Sequence, residues 1–188
     1  MKDSAFIQQM LQRGMQAQNK LTSEFTTLSA EQLNWKPSEN VWSMAQCLDH
    51  LIISNTSYFS VFEAITNGTF SMNLWEKMSP FNRINTMLLK GTMQEEVKIK
   101  LTTHPKFAST VSDVPSEIST TYRLNLEKFL SFIEKSREID IDKTVITSPA
   151  ISIVTYSLRD VFWLLTEHQH RHLNQAIRVK ANSSFPSK

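Results

Sequence analysis

Apolar residues return at helical spacing in four stretches of this chain, and polar or helix-breaking residues separate those stretches. Phe6, Ile7, Met10, Leu11, Met15, Leu21, Phe25 and Leu28 fall largely on one stripe, predicting a first helix from about Ser4 to Leu28 with a glutamine-rich outer face. Trp35, Lys36 and Pro37 break that pattern. A second helix should begin after Trp42, with Ser43 as N-cap and Gln46 three residues on as a capping box, and continue to about Thr66. Its main core stripe is Met44, Leu48, Leu51, Ile52, Phe59 and Phe62, and Cys47, His50, Ser54 and Val61 form an adjoining one. A helix apolar over so wide an arc packs centrally.

Asn67 and Gly68 close that helix, and the chain then reads as irregular as far as Pro115, with Pro80 and Pro105 as breaks. Short helices are possible there near Asn82 to Leu89 and Met93 to Leu101. A third long helix is predicted from about Pro115 to Glu138, its inner stripe formed by Ile118, Tyr122, Leu126, Phe129, Leu130 and Ile133. In the connection Ile139 to Tyr156, the β-branched segments Thr144 to Thr147 and Ile151 to Val154 could be extended, but no partner strands are evident. A fourth helix starts at Ser157, a good N-cap with Asp160 in the first turn, and reaches about Lys180.

Four long helices predict an all-α protein, a four-helix bundle in a single domain spanning residues 1–188. The long irregular connection between the second and third helices lets those two run parallel, giving up-down-down-up order. The second and fourth helices then run antiparallel, the start of one beside the end of the other.

Composition narrows the class. Only 3 of 188 residues are glycine, against glycine-turned hairpins and phosphate-cradling loops. The lone cysteine, Cys47, excludes an internal disulfide and any CxxC motif, in keeping with a reducing, cytoplasmic location. Met1 to Arg13 lacks the apolar core of a signal peptide, and no run of about 18 apolar residues suggests a membrane span. A formal charge of +2 from dispersed lysines and arginines gives no basic face for nucleic acid.

The fourth helix carries the candidate chemistry. Its stripe through Val161, Leu164, Leu165, His168, His172, Gln175 and Ala176 is apolar except at the histidines, so the pair points inward. Residues four apart on a helix lie roughly 6 Å along the axis and nearly in line, a chelating distance for a transition metal. The same spacing also suits a solvated patch or two core histidines bonded to carbonyls. Of the other histidines, His104 sits beside a proline and reads as a loop residue. His170 points to the face opposite its neighbours and reads as exposed, with the option of contacting an anionic substrate. His50, inside the second helix, is the preferred third ligand. It lies roughly 10 Å above the start of its helix, and the His168/His172 midpoint roughly 15 Å below the end of the antiparallel partner, so the heights are compatible.

Several neighbours invite roles and also have plainer readings. Asp49 and Glu167 each precede a ligand, but one helical step turns about 100°, so surface positions are expected, with a contact to a histidine N–H as the alternative. Gln175 lies near the histidine stripe and could donate to a bound group, although a packed or solvent-facing amide is the plainer reading. Arg171 and Asn174 read as surface residues. Cys47, one turn before His50, reads as a small hydrophobe rather than a ligand or nucleophile. Trp35 and Trp42 should cover the bundle end near the start of the second helix, and Trp163 should lie in the core or an interface.

The segments Glu31-Gln32-Leu33-Asn34-Trp35-Lys36-Pro37, Val41-Trp42-Ser43, Cys47-Leu48-Asp49-His50-Leu51, Ile146-Thr147-Ser148-Pro149 and His168 to Gln175 together resemble the DinB-like (YfiT-type) superfamily. The resemblance covers most of the chain, and the middle third matches only loosely. It implies an up-down-down-up bundle with a divalent metal, such as zinc, nickel, iron or manganese, held by His50, His168 and His172. Three neutral imidazoles leave the ion its full charge and two or three open positions. The resemblance further implies a small-molecule substrate and either a hydrolase using metal-bound water or a thiol S-transferase using a low-molecular-weight thiol. A non-catalytic metal or small-ligand binding protein is the alternative, and a homodimer is plausible by the same resemblance.

Overall fold

The computed structural model describes residues 2–80, 109 and 113–187. Among these the chain is mostly helical, with only two short strands. The helices are α1 (Ser4–Phe25), α2 (Ala30–Asn34), α3 (Met44–Thr66), α4 (Leu74–Met78), α5 (Ile118–Lys135) and α6 (Leu158–Lys180), and the strands are β1 (Val145–Thr147) and β2 (Thr155–Ser157). The possible helices between Asn82 and Leu101, and His104, lie outside the described residues.

Capping chemistry sets where most helices begin. Ser43 and Gln46 form the expected reciprocal capping box at α3, and Ser29 with Gln32 and Asn73 with Glu76 repeat it at α2 and α4. The Asp3 side chain caps α1, and Ser157 accepts from the Asp160 N–H at α6. Gly68, at φ 73°, follows the end of α3 in the left-handed conformation that glycine adopts without a Cβ penalty.

Both α1 and α3 pack against α5 and α6. Paired side chains give the helix directions. Asp3–Arg159, Arg13–Glu167, Lys20–Asn174 and Glu24–Lys180 advance together, so α1 and α6 run the same way. Gln18–Glu127 and Gln8–Arg137 run in opposite senses, so α5 is antiparallel to α1. Asn55–Asn125 and Phe59–Phe132 make α3 parallel to α5. Phe59, Phe62, Phe129, Phe132 and Phe162 fill the space between α3, α5 and α6 with ring-to-ring contacts.

Several expectations are corrected. The first helix ends at Phe25 rather than Leu28, and the third spans Ile118–Lys135 rather than Pro115 to Glu138. Met15 is exposed because the buried stripe runs Ile7, Met10, Gly14, Ala17, Leu21, leaving Met15 one step, about 100°, off it. Val61 is only half-buried. The extended segments do find partners, namely each other: Val145 faces Ser157, Ile146 faces Tyr156 and Thr147 faces Thr155 in an antiparallel pair, the second strand beginning after Val154. Two short helices went unanticipated. α4 is docked on β1 through the buried carboxylate of Glu76, which accepts from the Thr147 N–H at 3.0 Å and its hydroxyl at 2.9 Å.

Candidate metal centre

The capping box at Ser43 starts α3 so that His50 stands two turns inside it, buried, on the flank facing α6. His168 and His172 lie mid-way along α6, and its ladder turns both toward α3. The three rings converge. Ring centroids are 4.8 Å apart for His50 and His168, 4.5 Å for His50 and His172, and 4.5 Å for His168 and His172, each pair edge-to-face. One nitrogen from each ring lies within 4.8 Å of the other two.

Nε2 of His50 and Nε2 of His168 are 3.0 Å apart. Two imidazole nitrogens so placed either share a proton or turn both lone pairs on a common cation. Nitrogens sharing one tetrahedral ion at ordinary bond lengths stand about 3.3 Å apart, so the first pair is already at ligand separation. Nδ1 of His172 is buried without a hydrogen-bond partner, a cost that a ligated and reoriented ring would relieve. The donor set therefore fits a divalent transition metal.

Charge supports the same conclusion. Burial drives His168 well below the ordinary histidine range, with His172, His50 and Arg171 adding to the shift. His172 is pushed down to about 3, first by burial, then by His50 and Arg171, with Gln175 opposing. Both rings are thus neutral at pH 7, the form a metal binds. No carboxylate or thiolate joins the cluster among the described residues.

Trp42 roofs the cluster. Its ring stacks on His172 at 5.9 Å with 29° between planes and leans on His50 at 5.0 Å. This refines the expectation that it covers the bundle end; Trp35 instead packs edge-on against Phe185. His50 and His172 are buried and His168 is half-buried.

The remaining candidates separate clearly. Glu167 is bound by Arg13, its Oε2 accepting from Nη2 at 2.7 Å, and ties α6 to α1 instead of serving the histidines. Asp49 is half-buried and, like Glu167, stands outside the cluster. Cys47 is fully buried and its thiol is pushed up to about 12 by desolvation, which makes it inert. Asn174 accepts from Lys20, and Trp163 is half-buried against the core. His170 corrects an expectation: it is buried, with Nε2 3.0 Å from the Arg13 carbonyl oxygen, because the face opposite His168 and His172 is covered by α1. Gln169, passed over in the sequence, is fully buried beneath the cluster. Its signal was a polar residue one step from His168, on the side where Leu165 and Leu173 continue the core.

Three histidines that converge from two facing helices of a mostly helical protein could hold a metal ion. The sequence profile of the DinB superfamily matches residues 15–176, and the chain belongs to that superfamily. No curated protein and no solved structure matches it significantly. Among the described residues no helix is long and apolar enough to cross a membrane.

Proposed function

We propose that this chain is a single-domain, up-down-down-up four-helix bundle that works as a metal-dependent enzyme, with His50, His168 and His172 as the protein ligands of a divalent metal. The paired contacts that set the helix directions support the topology, and three nitrogens within 4.8 Å of one another carry the metal reading. A divalent ion held by His50, His168 and His172 would keep its full charge and would supply the Lewis acidity that lowers the pKa of a bound thiol or water.

The reaction that fits best is transfer of a low-molecular-weight thiol to an electrophilic small molecule. The observation behind it is that, among the described residues, no nucleophile or base of the protein's own joins the cluster: Cys47 is buried and held protonated, Glu167 is consumed by Arg13, and no carboxylate joins the histidines. The chain's own work is to orient three lone pairs, to shield two faces with Trp42, and to keep the surroundings cationic through Arg171, which suits an anionic thiolate.

Metal analysis of protein purified without a histidine tag, followed by incubation of the metal-loaded protein with thiols and electrophiles, tests this. About one metal per chain and thiol-dependent loss of electrophile, abolished by a chelator, are expected. Metal-dependent product without thiol would make the enzyme a hydrolase. Stoichiometric metal with no turnover would make it a binding protein, and absence of metal uptake would remove the site altogether.

A further inference from the structure

One step along α6 from His168 lies a buried polar chain that joins three helices. Gln169 is wholly enclosed, and both its N–H donors and its carbonyl oxygen are engaged. Nε2 donates to Asn55 Oδ1 on α3 at 2.9 Å and to the Leu165 carbonyl at 2.8 Å, and Oε1 accepts from the Tyr122 hydroxyl on α5 at 3.0 Å. Asn55 in turn donates to Asn125 Oδ1 at 2.8 Å, and Asn125 donates to Thr56 at 2.9 Å. The apolar layer below, built on phenylalanine rings, is held by an attraction that has no direction of its own. Slippage by a single residue would move His168 and His172 about 1.5 Å along the axis. Metal–nitrogen distances tolerate only about 0.2 Å. Something directional has to fix the height of α6, and this carboxamide lies beside the ligands, between the two helices that supply them.

We infer that Gln169 is a positioning residue for the three-histidine cluster, its bonds to Asn55 and Tyr122 locking α6 at the height where His168 and His172 meet His50. This rests on the metal-centre reading above. Gln169 touches neither metal nor substrate. Its role is to convert a loose apolar contact into one register, the use for which buried polar networks are best suited.

Cobalt(II) titration of the purified full chain tests it, read by the visible ligand-field spectrum and by affinity, with melting of the metal-free proteins measured alongside. Gln169→Leu should weaken cobalt binding about tenfold or more and change the intensity of the ligand-field bands, and Tyr122→Phe should change both in the same direction by less. Phe62→Leu, which lowers the melting temperature through the apolar layer, should leave the spectrum unchanged, and this separates positioning from general softening. Should Gln169→Leu fail to fold, Tyr122→Phe decides. Affinity within twofold of wild type and an unaltered spectrum in the variants, with wild type binding normally, would overturn the positioning role alone. A wild-type protein that takes up no cobalt would overturn the metal centre and the inference together.

Discussion

His172→Ala isolates the proposed metal site from the fold. The wild-type ring is 7% exposed, and its Nδ1 is buried without a partner. An unsatisfied buried polar atom costs about 1–3 kcal/mol. Truncation to alanine removes that cost and forfeits packing against Trp42 and His50 of similar size, so the metal-free variant should melt close to wild type. With metal the two diverge. At a free zinc concentration of one hundred times the wild-type Kd, binding stabilises the native state by about 2.7 kcal/mol. A tenfold loss of affinity reduces this to about 1.4 kcal/mol at the same concentration. For a domain of this size the corresponding rise in Tm is about 5–11 °C for wild type and about 3–6 °C for the variant.

The assay is thermal melting with matched zinc and chelator arms, accompanied by metal content after dialysis, which should fall at least about tenfold in the variant. His170→Ala is the internal control. It lies two residues away on α6 but bonds the Arg13 carbonyl of α1. Removing it should lower Tm in both arms and leave the zinc-dependent rise intact. Equal zinc-dependent rises in wild type and His172→Ala would refute the reasoning, because a ligand cannot be deleted without weakening the site.

Other outcomes follow from the same contacts. Gly14→Ala should destabilise, since an added Cβ would stand 2.2 Å from Leu130 Cδ2 and 3.1 Å from its Cγ; crowding of about 1–3 kcal/mol outweighs the helix-propensity gain of about 1 kcal/mol. In a Leu130→Ala background the same change should stabilise, and urea melts of the four proteins check the reversal of sign. Arg159 bonds both Asp142 and Asp3, and Asp3 also caps α1 through the Phe6 N–H. Asp142 is lowered chiefly by Arg159, and Asp3 first by the Phe6 N–H and then by Arg159, from an ordinary 3.8. A lowered carboxylate stabilises the fold above its ordinary range and ceases to do so as pH falls through the folded value. Arg159→Met should therefore melt below wild type at pH 7 and approach it as pH falls below the ordinary carboxylate range and through the lowered folded values; a gap that persists once both carboxyls are protonated would exclude the ion pairs as its cause. Cys47, buried with its thiol pushed up to about 12, should resist a thiol reagent until the chain is unfolded, and Cys47→Ala should retain full metal affinity. Rapid labelling of the native protein would contradict the burial.

What the sequence made legible was whatever a single helix determines for itself. Ser43, Gln46 and the apolar arc behind them specify where α3 starts and which flank carries His50; Ser157 and Asp160 do the same for α6. Two known starting points and antiparallel packing bring His50 level with His168 and His172, since rise per residue is constant. Features that need a second element were hidden. The β-branched run at Val145 becomes a strand only when Thr155 to Ser157 folds back on it, and the stripe of Ile7 and Met10 passes Gly14 and misses Met15 because Leu130 comes from α5. His170 makes the point most sharply. It lies two steps from both His168 and His172, about 200° around the helix, and a reading of α6 alone assigns that face to solvent. Only the arrival of α1, tied on by Arg13 to Glu167 and Lys20 to Asn174, makes it a buried donor to a backbone carbonyl. Identical side chains on one helix thus take different chemistry from the neighbour each faces: α3 brings a third imidazole, and α1 brings a carbonyl oxygen.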